Sequence, residues 1–138
     1  MKFLVTICTT ILLFVFSTIK GQEKSSITAT VVNVLTSEGK VGFALYNKDN
    51  FMKQPIQAKK AKIVDGKSKV VFENVLVGEY AILCYHDKNN NDKMDFQPNG
   101  MPLESYGASN NVMNFGPPRF DDAKFSVSDK KVSLEIKF

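Results

Sequence analysis

The sequence contains few of the residues that build several common kinds of site. Its 138 residues include no tryptophan, one histidine (His86), one arginine (Arg119) and two cysteines (Cys8 and Cys84). A zinc site normally takes three or four protein ligands, so a single histidine argues against one. Arginine is the side chain best suited to phosphate recognition, so its near absence argues against a nucleic-acid partner. The length allows one domain and excludes a multi-domain enzyme.

The N-terminal segment is apolar and carries almost no charge. Lys2 precedes an uncharged run over residues 3–19 that consists mostly of Phe, Leu, Val, Ile and Thr. This pattern is typical of a secretory signal peptide. Gly21 is the only small residue after the run, so we predict a signal peptide over residues 1–21 with cleavage before Gln22.

Three alternatives concern the same segment. Cleavage after Ser17 would leave a slightly longer mature chain. The run is also long enough for a retained membrane anchor, which needs about 17–25 apolar residues. Lipid attachment at Cys8 is the weakest alternative, because Ile7 stands where a lipoprotein signal usually has a small residue. Export with cleavage is the prediction we adopt.

Removal of residues 1–21 changes the charge and the cysteine content. It takes away two lysines and no acidic residue, so the net charge falls from +4 to +2. The remaining domain, residues 22–138, keeps only Cys84 and has no internal disulfide. Its charges of both signs are interspersed, as on a soluble surface. We therefore predict one exported domain, in the periplasm, on the outer surface or outside the cell, with no membrane contact after cleavage.

The mature chain consists of short β-rich segments divided by turn residues. The last of them alternates cleanly, with Val132, Leu134, Ile136 and Phe138 at period two. The nearly continuous apolar run over residues 79–86 predicts a central, well-buried strand. The segments with strand character are residues 27–35, 41–46, 61–64, 69–72, 79–86, 123–128 and 132–138. About seven strands without a convincing helix predict an all-β fold, an antiparallel β-sandwich with one long loop.

Glycine-containing connections divide some of these segments. Residues 36–40 predict a hairpin between the first two segments, and residues 65–68 form a second tight turn. Residues 47–60 lack strand alternation, and we predict a loop with one helical turn there. Phe51 and Ile56 are its candidate anchors to the core.

The longest segment without a strand pattern covers residues 87–122. A loop of that length in a compact domain is usually functional or held by other contacts. Its first nine residues place oxygen-bearing side chains at positions 1, 3, 5 and 9, which is the spacing of an EF-hand calcium loop. The candidate ligands are Asp87, Asn89, Asn91 and Asp95, with the backbone carbonyl of Lys93. Asp92 holds the sixth position, which normally requires a positive φ, and Asp tolerates that conformation.

This loop departs from the EF-hand at position 12. Pro98 stands there in place of the bidentate glutamate, so the chain contains no EF-hand. Glu104 is the nearest carboxylate outside the loop and is our candidate for a further ligand. With few charged ligands, we expect calcium to bind weakly, with a dissociation constant on the order of 10⁻⁴ to 10⁻³ M. The alternative is a metal-free turn closed by Asn and Asp side chains.

Two further groups of residues have a functional and a structural interpretation. Cys84 and His86 lie on one face of a strand about 7 Å apart, which is long for a nucleophile and its base. We predict a buried structural cysteine, a histidine that braces the loop, and no enzyme activity; activity around this pair is the one exception left open. Tyr106, Phe115, Phe120 and residues 116–118 either line a ligand groove or pin the long loop to the core.

Four stretches of the chain carry a resemblance to a known family. They are residues 72–82 (FENVLVGEYAI), 86–87 followed by the Asn-rich loop, 100–111 (GMPLESYGASNN) and 117–123 (PPRFDDA). Together they resemble the secreted bacterial domain-of-unknown-function family 2141, over essentially the whole mature chain. The resemblance implies a small exported β-sandwich of transthyretin or immunoglobulin type with no established activity. The family usually has glycine where this chain has Asn90 and Asp92.

These observations predict an exported β-sandwich that acts as a binding or structural module, with its long loop stabilised by Ca²⁺. The alternative is a metal-independent module that binds a protein or a glycan at the cell envelope.

Overall fold

The computed structural model describes residues 21–138. The predicted signal peptide covers residues 1–21, so all of it except Gly21 lies outside the described residues. Within residues 21–138, no helix has the length and apolar character needed to cross a bilayer.

Eight strands form two sheets that pack face to face. In chain order the strands are β1 (Lys24–Val31), β2 (Lys40–Tyr46), β3 (Gln57–Ala61), β4 (Ser68–Leu76), β5 (Gly78–Asp87), β6 (Tyr106–Ala108), β7 (Phe125–Val127) and β8 (Val132–Ile136). The first sheet has the order β4-β1-β8, and the second has the order β3-β2-β5-β6, with β7 also paired to β5. The all-β sandwich is thus confirmed. The strand beyond the predicted seven is β6, which lies inside the long loop.

The core fills the space between the two sheets. Every second residue of β1 faces inward, and Ile27, Ala29 and Val31 are fully buried. Phe43 of β2 and Phe72 of β4 are the largest side chains among the fully buried ones. This alternation is the expected result of the period-two geometry of a strand.

One of the two predicted connections differs from the structure, and the other is present. The hairpin across residues 36–40 is wrong, because β1 and β2 lie in different sheets and the connection crosses from one sheet to the other. In a sandwich, both strands face the same core, one from each sheet. Their hydrophobic patterns are therefore the same whether the two strands pair in one sheet or lie in opposite sheets. The turn after residue 64 is present, with Val64 and Lys67 paired, but it too joins strands of different sheets.

Strand β3 lies earlier in the chain than the sequence predicted. It covers Gln57–Ala61 and not residues 61–64, so part of the predicted loop at 47–60 is a strand. An edge strand rich in lysine has no hydrophobic alternation, and lysine on an edge discourages pairing with other chains. The pairing of β1 with β8 is parallel, whereas all other strand pairs of residues 21–138 are antiparallel. β8 enters the first sheet from β7 in the second, so no hairpin sets its direction.

A second, smaller core lies on the outer face of the five-stranded sheet. Ala81 of β5, Phe120 and Ala123 are buried there, and the short helix α1 (Phe120–Ala123) supplies the last two. Phe51 packs edge-to-face against Phe120 at 5.6 Å between ring centroids, so Phe51 is an anchor as predicted. Ile56 is 43% exposed and is not an anchor, because it lies where the chain enters the edge strand β3.

Ser109 joins the long loop to the central strand. Its hydroxyl is fully buried, accepts a hydrogen bond from the Ile82 backbone N–H (3.0 Å) and donates one to the Ala123 carbonyl. The residue lies in a short 3₁₀ turn, Ser109–Asn111. One side chain therefore connects β5, the 3₁₀ turn and helix α1.

We predict that Ser109→Ala lowers the free energy of unfolding by about 1–3 kcal/mol, because it leaves the buried Ile82 N–H without a partner. Urea denaturation measures the change. Ser128→Ala is the matched control, since Ser128 is exposed. Equal stability of the two variants would contradict the role assigned to Ser109.

Candidate functional site

The Asn-rich loop, residues 87–95, begins at the buried end of β5. Asp87 is fully buried, and its carboxylate accepts hydrogen bonds from the backbone N–H groups of Asn91 and Asp92, both at 3.0 Å. The ammonium group of Lys40 lies 3.7 Å from the same carboxylate. Asp87 therefore closes the loop onto its own backbone, which is the usual role of an aspartate at the start of a turn.

Two side-chain amides converge on one carboxylate inside this loop. The Asn89 amide donates to Asp95 at 2.8 Å, and the Asn91 amide donates to both Asp95 oxygens at 2.9 Å. The amide oxygens point to the loop backbone, where Asn89 accepts from the Asn91 N–H and Asn91 accepts from the Lys93 N–H. The sequence predicted that the oxygens of Asn89 and Asn91 point inward, whereas here their NH₂ groups face Asp95 and their oxygens face the backbone.

Glu104 lies across the two ends of the loop. Its carboxylate accepts hydrogen bonds from the backbone N–H groups of Lys88 and Asp95, each at 3.1 Å. The structure thus brings this distant candidate ligand to the loop, but bonds it to the backbone. Within residues 21–138, no three Asp, Glu, His or Cys side chains form a cluster suited to a metal ion. The converging groups are two amides and the Asp95 carboxylate.

Two residues of the loop, Asn90 and Asp92, stand where the family usually has glycine, and both have a positive φ. Asn90 has φ 56° and Asp92 has φ 65°. The expectation of a positive φ at Asp92 is confirmed, and Asn90 shares this conformation. Asn and Asp are the non-glycine residues that adopt it most readily.

Two lysines from the strands hold the sixth loop residue. The Asp92 carboxylate lies 2.5 Å from the Lys40 ammonium and 2.6 Å from the Lys60 ammonium. Hydrogen bonds from Lys40 and then Lys60 lower the pKa of Asp92 to about 2. The contribution of this contact to stability is present above the ordinary aspartate pKa and is lost as the pH falls toward 2. Local sequence spacing gives no sign of either lysine, because both come from distant strands.

Cys84 and His86 have separate hydrogen-bond partners. The buried Cys84 thiol contacts the Gly107 carbonyl at 3.5 Å, and burial raises the pKa of this thiol. His86 Nε2 lies 2.7 Å from the Glu38 carbonyl, which only accepts, so this nitrogen carries a proton. The ring of His86 thus braces the connection between the sheets, and its backbone N–H bonds to Ser105 of the long loop (2.8 Å).

An apolar groove lies on the outer face of the five-stranded sheet and encloses about 560 Å³. Its floor is formed by outward residues of two neighbouring strands, Ala44 and Tyr46 of β2 and Leu83 and Tyr85 of β5. Its walls come from the long loop and the 47–56 turn, with Met52, Met94, Phe96, Met101, Pro102, Tyr106, Pro117 and Pro118. No side chain that lines this groove carries a charge.

The structure separates the aromatic residues that the sequence grouped together. Tyr106 and residues 116–118 line the groove, whereas Phe120 is buried in the second core. Phe115 is fully exposed and lines neither. Sequence analysis missed the floor, although alternation along β2 and β5 places four apolar residues on their outward faces. Such a pattern indicates a sheet that is covered on both sides.

Gly42 lets the Tyr85 ring lie against the sheet. A β-carbon at position 42 would come within 2.6 Å of that ring. The Tyr85 ring therefore covers the backbone of the neighbouring strand β2 and forms a flat part of the groove floor.

Comparison with known proteins places the chain in a family. Residues 29–135 match the profile described as "Uncharacterized protein conserved in bacteria (DUF2141)". The chain belongs to DUF2141. A search of curated proteins and a search of solved structures give no match. The resemblance predicted from the sequence is confirmed. The DUF2141 match covers every strand from β2 to β7, the end of β1, most of β8 and the whole Asn-rich loop.

We predict that a thiol reagent does not label Cys84 of this DUF2141 chain in the folded state at neutral pH. The thiol is 3% exposed and protonated, whereas the thiolate is the reactive form. The rate of colour release from a disulfide reagent measures labelling, before and after urea is added. Cys84→Ser isolates the signal of Cys84 from that of Cys8. Rapid labelling of folded Cys84 would show an accessible, activated thiol.

Proposed function

We propose that this chain is an exported binding module that holds an apolar ligand in the groove over β2 and β5. The observation that carries the proposal is the 560 Å³ groove without a charged lining residue. Small-molecule sites commonly measure about 300–1,000 Å³ and are lined mainly by apolar and aromatic side chains. The export part of the proposal rests on the apolar N-terminal run of the sequence.

The walls of the groove combine rigid and adaptable parts. Its floor belongs to paired strands, which fix the positions of Tyr46 and Tyr85. Three of the four methionines of residues 21–138 line it, namely Met52, Met94 and Met101. Methionine is flexible and polarizable, and it is frequent on surfaces that adapt to a bound partner. The combination supports binding of an apolar body with some tolerance of shape.

The exposed rim supports the same proposal. Met52, Phe96 and Met101 are each more than half exposed, although all three are large and apolar. A ligand in the groove would remove part of this surface from water, which contributes about 25 cal/mol for each Å². A glycan suits the groove less well, because its many hydroxyl groups need hydrogen-bonding partners when they are buried.

The Asn-rich loop holds one wall of the groove in place. Met94 and Phe96 flank Asp95, and the Asp95 carbonyl accepts a hydrogen bond from the Leu103 N–H at 2.9 Å. Phe96 also pairs with Pro102 as an isolated β-bridge. A movement of the Asn-rich loop would therefore also move the wall residues Met94 and Phe96.

The second part of the proposal is that Ca²⁺ binds this loop. The favouring observation is that Asn89, Asn91 and Asp95 converge within it. Rotation of the two amides by 180° would replace their NH₂ groups by oxygens, the ligands that Ca²⁺ takes. This rotation would break the two backbone hydrogen bonds of the amide oxygens, and Lys40 and Lys60 already neutralise Asp92. We therefore expect weak binding, with a dissociation constant of about 1 mM.

We predict that Nile red, an uncharged dye, binds the protein saturably and that Leu83→Glu reduces this binding at least ten-fold. A carboxylate on the groove floor would lose its water without gaining a partner. Dye fluorescence measures binding. Val77→Glu is the matched control, because Val77 is 55% exposed and does not line the groove. Equal loss in both variants, or no saturable binding, would contradict the groove as the site.

For calcium, we predict that 10 mM CaCl₂ stabilises the protein by about 1.4 kcal/mol, for a dissociation constant of about 1 mM. Thermal melting with calcium or with a chelator measures the shift. Asp95→Ala should remove the shift, and Asp129→Ala, in an exposed turn, should preserve it. Asp87 is unsuitable for this test because its carboxylate supports the backbone. Identical curves with calcium and chelator would mean that the loop is metal-independent.

A further inference from the structure

We infer that the ligand of the groove is an uncharged amphiphile, with a hydrocarbon body and an oxygen that accepts a hydrogen bond from a phenol of the groove lining, which offers Tyr46, Tyr85 and Tyr106. This inference rests on the proposed function and names the ligand class of that same site. Three features of the groove carry it: the lack of charged side chains on its walls, the free donors on those walls, and the acidic residues beside Tyr85.

The walls offer no partner to an ion. The polar side-chain groups that line the groove are three phenols and the Cys84 thiol, and the thiol is directed to the core. An ionised group that leaves water for such a site loses several kcal/mol of hydration without a countercharge. A neutral ligand avoids this loss.

The three phenols are unpaired donors. Tyr80, on the core side of β5, donates its hydroxyl to the Leu76 carbonyl at 2.9 Å. Among residues 21–138, no group pairs in this way with the hydroxyls of Tyr46, Tyr85 or Tyr106. Burial raises the pKa of Tyr46 and of Tyr85, so both hydroxyls keep their protons at neutral pH. They can therefore donate to a carbonyl, ester or ether oxygen of a ligand.

The acidic residues beside Tyr85 act against an anion. Asp87 follows Tyr85 by two residues and so lies on the same face of β5. After burial, the charges of Asp87, Asp92, Glu104 and Asp95 raise the pKa of the Tyr85 phenol further. Lys40 and Lys60 compensate Asp92, while Asp95 and Glu104 are bonded to amide and backbone N–H groups. A fatty acid carboxylate or a phosphate beside Tyr85 would meet this negative charge without a cation on the wall.

The experiment compares three ligands that share a ten-carbon chain and differ in the charge of the head group. Decan-2-one, decanoate and decyltrimethylammonium each compete with Nile red for the full protein, below their micellar concentrations. We expect the ketone to displace the dye at a concentration about ten-fold lower than either ion. If decanoate or decyltrimethylammonium competes as well as the ketone, the inference of a neutral ligand is wrong.

A second measurement tests the phenols. The double variant Tyr46→Phe with Tyr85→Phe keeps both rings and removes two donors, and we expect it to weaken ketone binding about five-fold or more. Tyr80→Phe is the matched control, since the Tyr80 hydroxyl donates to the Leu76 carbonyl of β4 and does not line the groove. It should leave ketone binding unchanged. Unchanged binding in the double variant would overturn the donor role.

The two proposals fail in different ways. Absence of saturable Nile red binding, or binding that Leu83→Glu leaves intact, overturns the groove as a site and the inference with it. If Nile red binds saturably and Leu83→Glu abolishes this binding, the groove is supported as the site. If the ketone then competes no better than the two ions, only the inferred ligand class is overturned.

Discussion

The central strand β5 has to be covered on both of its faces, and the rest of the structure depends on this constraint. Its inward residues, such as Ile82, face the core between the sheets. Ala81, which is fully buried, and Leu83, which is half-buried, face the opposite way. Only one side of a β-sandwich sheet is covered by the other sheet. The long loop between β5 and β7 supplies the second cover, and it encloses the groove because it does not fill the whole outer face.

The loop is held by polar side chains that bond to backbone groups. Asp87 and Glu104 fix the Asn-rich loop, and Ser109 fixes the 3₁₀ turn to β5. The Asn111 side chain bonds to the backbone of Glu135 in β8 and of Lys137 just after it, where a neighbouring strand would otherwise pair. Residues 22–138 contain one cysteine, so these contacts fix the loop where many small domains use disulfides. They are directional, so they set the position of the loop as well as its stability.

The candidate site shows which contacts can be predicted from the local spacing of residues. The positions of Asp87, Asn89, Asn91 and Asp95 follow from a short-range pattern, because a turn of nine residues brings its own side chains together. The lysines that neutralise Asp92 come from β2 and β3, so only the register of the second sheet brings them there. The same holds for the groove, whose floor depends on the pairing of Ala44 with Leu83.

The sequence by itself determined the all-β class, the central strand β5, the membership of DUF2141 and the contents of the Asn-rich loop. Each of these depends on residues that are close in the chain, where period, turn chemistry and motif act directly. Only the tertiary structure decided that β1 and β2 lie in different sheets, that β8 runs parallel to β1, and that the loop leaves an uncharged groove. The physical reason is that both faces of a covered sheet are apolar, so the pattern along a strand does not specify which segment covers it.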